Sequence, residues 1–170
     1  MKEIDFRNDV LPLKDKLFRL ALRITLSRED AEDIVQDTLL KVWNNRDEMG
    51  DVENIEAYAM TICRNLALDL CERKERQNIS FDERIHDRTD STAPPDEQIA
   101  KTEGRQLIKH TIDSLPEKQR TAMQLREIEG KTYKEISVIM GLTESDVKVN
   151  IFRARKSLKE YLAKINKYGL

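Results

Sequence analysis

Residues 132–158, Thr-Tyr-Lys-Glu-Ile-Ser-Val-Ile-Met-Gly-Leu-Thr-Glu-Ser-Asp-Val-Lys-Val-Asn-Ile-Phe-Arg-Ala-Arg-Lys-Ser-Leu, decide the fold of this chain. The stretch reads as a short helix, a tight turn at Gly141, and a longer helix carrying Lys and Arg. That is the layout of a helix-turn-helix, whose second helix lies in the DNA major groove. Thr132 with Glu135 fits a capping box, in which hydroxyl and carboxylate each satisfy a backbone N–H of the first turn. Thr143 with Asp146 repeats the spacing at the second helix. Gly141 between them supplies a left-handed conformation that ends the first helix without a Cβ penalty.

Two apolar faces follow from the spacing. Ile136, Ile139 and Met140 form one, and Val147, Ile151, Ala154, Leu158 and Leu162 form the other. Lys148, Val149, Phe152, Arg153 and Lys156 are left on the outward side, where a recognition helix needs cations and base-reading groups. The competing reading is an ordinary helical hairpin with a solvated basic face.

Charge is unevenly distributed. Residues 1–76 carry 13 Lys and Arg against 17 Asp and Glu, residues 77–103 carry 3 against 7, and residues 104–170 carry 14 against 8. The net charge of −2 therefore hides a basic end suited to a polyanion and an acidic remainder suited to a cationic protein surface. With 5% aromatic and 36% charged residues, the composition suits a helical protein with small cores. No apolar run approaches the ~20 residues of a membrane span and no signal peptide opens the chain, so we expect no membrane insertion and a cytoplasmic protein.

Catalytic and metal chemistry find little support. Cys63 and Cys71 fall on one predicted helix and cannot easily bridge each other, while His86 and His110 lack ligand spacing. There is no glycine-rich phosphate loop and no convergent catalytic group. The expectation is a protein with no cofactor, no metal and no enzymatic activity.

The remaining periodicity predicts an all-α fold. Pro12 ends any opening helix, and Leu13, Leu17, Leu20, Ala21 and Ile24 mark an amphipathic helix to about Leu26. Ser27 with Asp30 fits another capping box, opening a helix to about Asn45 that buries Ala31, Ile34, Val35, Thr38, Leu39 and Val42, with Trp43 closing the core. After a polar loop bending at Gly50, Asn54 caps a long helix over roughly 55–76 with Ile55, Ala59, Ile62, Leu66 and Leu70 as its stripe. Asn65, Asp69, Arg73 and Arg76 share one polar face of that helix. Residues 77–102, with Pro94-Pro95, lose periodicity and read as a flexible acidic linker. Helical signals resume near Ile99 through Leu107, Ile108 and Ile112, and Ser114-Leu-Pro-Glu117 starts another helix ending near Gly130. The chain thus divides into small helical domains at 1–76 and 103–170.

Both halves together resemble the extracytoplasmic-function (ECF, group 4) sigma factors of the bacterial sigma-70 family. Leu115-Pro-Glu-Lys-Gln-Arg120, Leu125-Arg-Glu-Ile-Glu-Gly130, Tyr133-Lys-Glu-Ile136, Val147-Lys and Phe152-Arg-Ala-Arg-Lys156 are similar to region 4. Asp30-Ala-Glu-Asp-Ile-Val-Gln-Asp-Thr-Leu-Leu-Lys-Val-Trp43 and Ala57-Tyr-Ala-Met-Thr-Ile-Cys-Arg-Asn-Leu-Ala-Leu-Asp69 are similar to region 2.

The resemblance implies a subunit that binds core RNA polymerase and directs it to promoter DNA. By similarity Asp33, Gln36 and Asp37 dock on the β′ coiled coil, with the β flap a further contact. Tyr58, Arg64, Asn65 and Asp69, with the loop 48–53, would hold unstacked −10 bases, and Arg73, Lys74 and Arg76 would lie near phosphates. Thr132, Tyr133, Lys134, Lys148, Val149, Phe152, Arg153 and Lys156 would contact the −35 duplex, Lys159 more weakly. Val149 and Asn150 depart from the family's small polar and basic residues, and Val149 can touch a thymine methyl but donates no hydrogen bond. An anti-sigma factor is a further implied partner. The alternative is a free-standing helix-turn-helix regulator whose first domain senses or dimerises.

Overall fold

The computed structural model describes residues 3–49, 54–85 and 99–167, all of whose regular structure is helical. The bend at Gly50, most of the loop 48–53, and the Pro94-Pro95 part of the linker lie outside the described residues.

A π-helical turn at Phe6–Val10 and a 3-10 turn at Leu11–Leu13 lead into α1, Lys14–Thr25. Pro12 sits within that second turn, where its fixed φ is tolerated and its missing N–H costs nothing. Helix α1 buries Leu17, Leu20, Ala21 and Ile24, the predicted stripe, and ends at Leu26 in a left-handed conformation with φ 58°. Ser27 caps α2, Arg28–Asn44, by accepting from the Asp30 backbone N–H. The Asp30 carboxylate does not complete a capping box; it pairs with Lys74 on the next helix.

Asn54 caps α3 through its Oδ1, which accepts from the Ala57 N–H at 3.0 Å. This helix, Ile55–Ile85, continues past residue 76 into the stretch read as linker. Its buried side is also broader than the predicted stripe. Ala57, Met60, Cys63, Arg64 and Ala67 are buried beside Ala59, whereas Ile55, Ile62, Leu66 and Leu70 are only half-buried. The reason is that α3 is covered twice, by α1 and α2 on one side and by α6 on another. Trp43 is half-buried, with Phe6 edge-on at 5.4 Å and the Arg46 guanidinium 4.0 Å over its ring.

The second unit contains α4 (Ile99–Ser114), α5 (Glu117–Met123), α6 (Tyr133–Met140) and α7 (Glu144–Lys167). Helix α5 widens into a π turn at Gln124–Ile128 before Gly130. Both bonds of the Thr132–Glu135 capping box form at 3.1 Å, and Gly141 takes φ 64° at the turn. Thr143 accepts from the Asp146 N–H, also at 3.1 Å. Val147, Ile151 and Ala154 of α7 are buried and Leu158 half-buried, but Leu162 is 43% exposed. The buried stripe therefore ends one turn earlier than its spacing suggests.

The two units share one apolar core. Leu17, Leu20, Met60 and Cys63 of the first belong to the same cluster as Leu125, Ile136, Ile139 and Ile151 of the second. A smaller cluster of Leu115, Met123 and Ala154 holds α5 against α7. The second unit thus packs on the first, with α6 seated on α3 and α5 against α1.

Candidate nucleic-acid interface

Helix α7 can display cations because its apolar residues recur on the opposite side. Lys148, Val149, Phe152, Arg153 and Lys156 are all exposed, Phe152 to 66%. A large apolar ring this open to water on a basic helix suits contact with a base face or methyl group. Asn150 is turned back, its Nδ2 donating to the Asp146 carbonyl at 2.8 Å. Arg155 pairs with Glu127 of the π turn and so fixes α7 to α5 instead of projecting.

At the start of α6, Thr132 and Lys134 are exposed. Tyr133 is half-buried between two cations: the Arg126 guanidinium lies 4.3 Å from its ring centroid and the Lys148 ammonium 5.3 Å. The ring therefore holds Lys148 at the junction of the two helices. Glu135 takes its backbone bonds at the cap, which hold its carboxyl below the usual carboxylate range.

On α2, Asp33, Gln36 and Asp37 are exposed on one stripe, followed by Leu40, which is 58% exposed. Beside them Phe6, Leu39, Leu40 and Trp43 line an apolar cavity of about 540 Å³ that Gln36 also borders. Acid and amide groups thus flank an open apolar shelf. Such a surface suits a protein partner carrying basic and apolar side chains.

The predicted −10 residues divide between two sides of α3. Asn65, Asp69, Arg73 and Arg76 are exposed on the expected polar face, where Arg76 pairs with Glu72 at 3.2 Å. Tyr58 is half-buried near them, its hydroxyl 3.4 Å from the Asn45 amide. Lys74 leans to α2 and Asp30. Arg64 points elsewhere. At 6% exposure it lies in the seam between the units, where Nε and Nη2 donate to Glu117 at 3.2 Å and Nη1 donates to the Met140 carbonyl at 3.0 Å.

The seam contains further groups that spacing along the chain does not single out. Glu56 of α3 accepts from Lys16 and from Lys131 of the second unit. Burial disfavours its charge, but hydrogen bonds from Lys131 and Lys16 outweigh this and hold its carboxyl below the ordinary value. Arg19 makes a two-pronged bond to Glu129 at 2.7 and 3.0 Å, which raises its own pKa further. Arg120 reaches from α5 to the Arg23 and Ile24 carbonyls at the end of α1, at 2.6 and 3.2 Å. A cation suits a helix C-terminus, and this one also takes the Asp113 and Leu115 carbonyls.

Cys63 and Cys71 are free, and burial pushes the Cys63 thiol up to about 12. Among the described residues no three His, Cys, Asp or Glu side chains come together as a metal site, and no helix is long and apolar enough to cross a membrane.

Comparison with known proteins places the chain in a family. Residues 10–77 match Sigma-70 region 2, and residues 105–158 match Sigma-70 region 4. The chain is 34% identical over 157 residues to the ECF RNA polymerase sigma factor SigE of Mycolicibacterium smegmatis, covering 88% of this chain and 58% of that relative's length. It is 30% identical over 148 residues to the ECF RNA polymerase sigma factor SigL of Mycobacterium tuberculosis, covering 84% of this chain and 80% of that protein. Among solved structures, the sigma factor RpoE of Bartonella quintana, in complex with the anti-sigma factor NepR, superposes with a TM-score of 0.75 at 27% identity, over 94% of this chain and 97% of that one. CnrH, solved with the cytosolic domain of CnrY, shares the fold with a TM-score of 0.65 over 91% and 85% of the two chains. Region 2 followed by region 4 in one chain disfavours a free-standing regulator, and the chain belongs to the ECF RNA polymerase sigma factors, which are transcription initiation factors and not enzymes.

Proposed function

We propose that this chain is a group 4 sigma factor that works in the cytoplasm by joining core RNA polymerase and gripping promoter DNA at two points. The α2 stripe of Asp33, Gln36 and Asp37 docks on the β′ coiled coil, with the apolar shelf at Leu40 beside it. The second unit contacts the β flap. The exposed α3 face, with Tyr58, Asn65, Asp69, Arg73 and Arg76 and with Lys74 beside it, holds the opened −10 strand; Arg64, buried in the seam against Glu117, is not part of that face. Thr132, Tyr133, Lys134, Lys148, Val149, Phe152, Arg153 and Lys156 read the −35 duplex. An anti-sigma factor restrains the chain; the similar sigma factor from Bartonella quintana was solved with NepR, which supports such a partner.

The observation that carries the reading is the exposed row Lys148, Phe152, Arg153 and Lys156 on a helix-turn-helix that follows a region 2 unit in the same chain. Few cations are needed there. Once core polymerase tethers one contact, the second forms at high effective concentration, so a chain of net charge −2 still holds DNA. The test is runoff transcription with purified core polymerase on a promoter library. Promoter-specific transcripts are expected, and their absence from folded protein free of inhibitor would overturn the reading.

A further inference from the structure

We propose that Val149 is a specificity residue, which reads the methyl group of one thymine in the −35 element by apolar contact and not by a hydrogen bond. The proposal rests on the −35 role of α7 given above.

The outward side of α7 holds an apolar patch framed by cations. Val149 is 43% exposed and Phe152 66%, and residues three apart are neighbours on a helix surface. Lys148, Arg153 and Lys156 are exposed around them. The apolar needs of the fold are met on the opposite side, where Val147, Ile151 and Ala154 are buried. Two adjacent apolar groups left in water contribute little to the fold. On a helix facing the major groove they match the one apolar group that base edges present there, the thymine C5 methyl.

Hydrogen-bonding readout is withdrawn from the same place. Between residues 148 and 156 no side chain carries a hydroxyl, and Asn150 carries the one amide. An amide projecting here could take adenine N6 and N7 together. Asn150 is instead half-buried, its Nδ2 donating to the Asp146 carbonyl at 2.8 Å. Arg155 is held by Glu127, and Lys148 stands at the Tyr133 ring.

Place and stiffness single out Val149 within the patch. Residues near the N-terminus of a recognition helix reach the base edges. Helix α7 starts at Glu144, so Val149 lies in its second turn and Phe152 in the next. Branching at Cβ leaves Val one strongly preferred χ1 rotamer on a helix, which fixes where its methyls sit. A short, rigid apolar group at a set position can tell a methyl from its absence.

The test uses the full chain with core polymerase on a promoter taken from the runoff library. Each thymine of the −35 element, on both strands, is replaced in turn by deoxyuridine, which lacks only the methyl. Competition against the unmodified promoter reads the affinity of the assembled complex. At one position the native chain should lose about fourfold, the effect of removing one buried methyl group from an apolar contact. Val149→Ser should bind the thymine and deoxyuridine forms alike, and Val149→Thr, which keeps one methyl, should retain part of the difference. Thermal melting checks folding, and should one variant fail to fold, the other carries the comparison. A −35 element with no methyl-sensitive thymine would overturn the proposal. So would a methyl effect undiminished in Val149→Ser, since it would then belong to Phe152 or to base stacking. Either result leaves promoter-specific transcription standing, whereas a library without any promoter-specific transcript overturns both readings.

Discussion

Arg64 and Glu117 face each other across the seam with both outer contacts at 3.2 Å, although 53 residues separate them in sequence. The guanidinium is nearly fully buried and the carboxylate side chain remains 23% exposed. Solvent therefore reaches the carboxylate more than the guanidinium, and the pair holds the second unit in one register on α3. Thr121 steadies the carboxylate by donating its hydroxyl at 2.8 Å. The pair sits between α3, α5 and the end of α6, the helices through which the two units meet.

Replacing Asp33 and Asp37 together by Asn should weaken binding to core polymerase by roughly tenfold or more while leaving thermal stability unchanged. Both carboxylates are exposed and neither supports the fold. A fluorescence titration with labelled core measures the effect. Intact core binding combined with lost −35 use would reverse the division of labour proposed for α2 and α7.

Arg153→Ala should reduce transcription from −35-dependent promoters by about 1–3 kcal/mol of discrimination. It should leave core binding unchanged, because Arg153 is exposed on the outer face of α7. Runoff assays on promoters with matched and mismatched −35 elements separate a base contact from a phosphate contact. Loss that is uniform across sequences would mark Arg153 as a phosphate contact.

Arg120→Met should lower stability by about 2–4 kcal/mol, since it strips donors from four carbonyls, of Arg23, Ile24, Asp113 and Leu115. Burial lowers the pKa of this guanidinium, and its charge is kept by those carbonyls and the nearby Glu117 and Asp113. Arg120→Lys should rescue poorly, because a single ammonium cannot span a planar fork of acceptors. Thermal melting monitored by dichroism reads both variants.

Acid should loosen the seam. The Glu56 carboxyl is held below its ordinary value, so its contribution is fully present above the unfolded-chain pKa and is lost as pH falls through the lower folded value. Glu135 shifts in the same direction. Scattering or fluorescence transfer across pH 6 to 3 (about the usual carboxylate range and below) should show opening only toward the acid end. Glu56→Gln should flatten part of that transition.

Thiol labelling of the native chain should proceed at Cys71 well before Cys63. Burial raises both thiols, but Cys71 is half-buried whereas Cys63 lies in the core with its Sγ at the Leu17 carbonyl. Mass spectrometry of alkylated peptides gives the order, and equal rates would show that α1 and α3 separate readily.

Local features were legible in the sequence because they depend on near neighbours. The capping box at Thr132, the turn at Gly141 and the buried faces of α1, α2 and α6 follow from spacings of three and four residues. The breadth of the α3 burial was not legible, because a second unit covers a side that periodicity assigns to water. Leu162 failed for the opposite reason: the spacing continues but the buried stripe stops at Leu158. The missed seam residues, Glu56, Glu117, Arg120, Glu129 and Lys131, looked like ordinary charges in a chain where 36% of residues are charged. Some sit within the quoted family blocks, yet no short-range pattern marks a charge whose partner lies on another domain.

The helices, their caps and the helix-turn-helix can be read along the chain, since they rest on hydrogen bonds and apolar periodicity within one or two turns. That the two units share a core, that Arg64 turns away from the polar face of Asn65 and Asp69, and that Glu117 meets it emerges in three dimensions alone. Those outcomes depend on surfaces brought together from distant parts of the chain, where shape and charge must match at once and adjacent residues carry no record of the match.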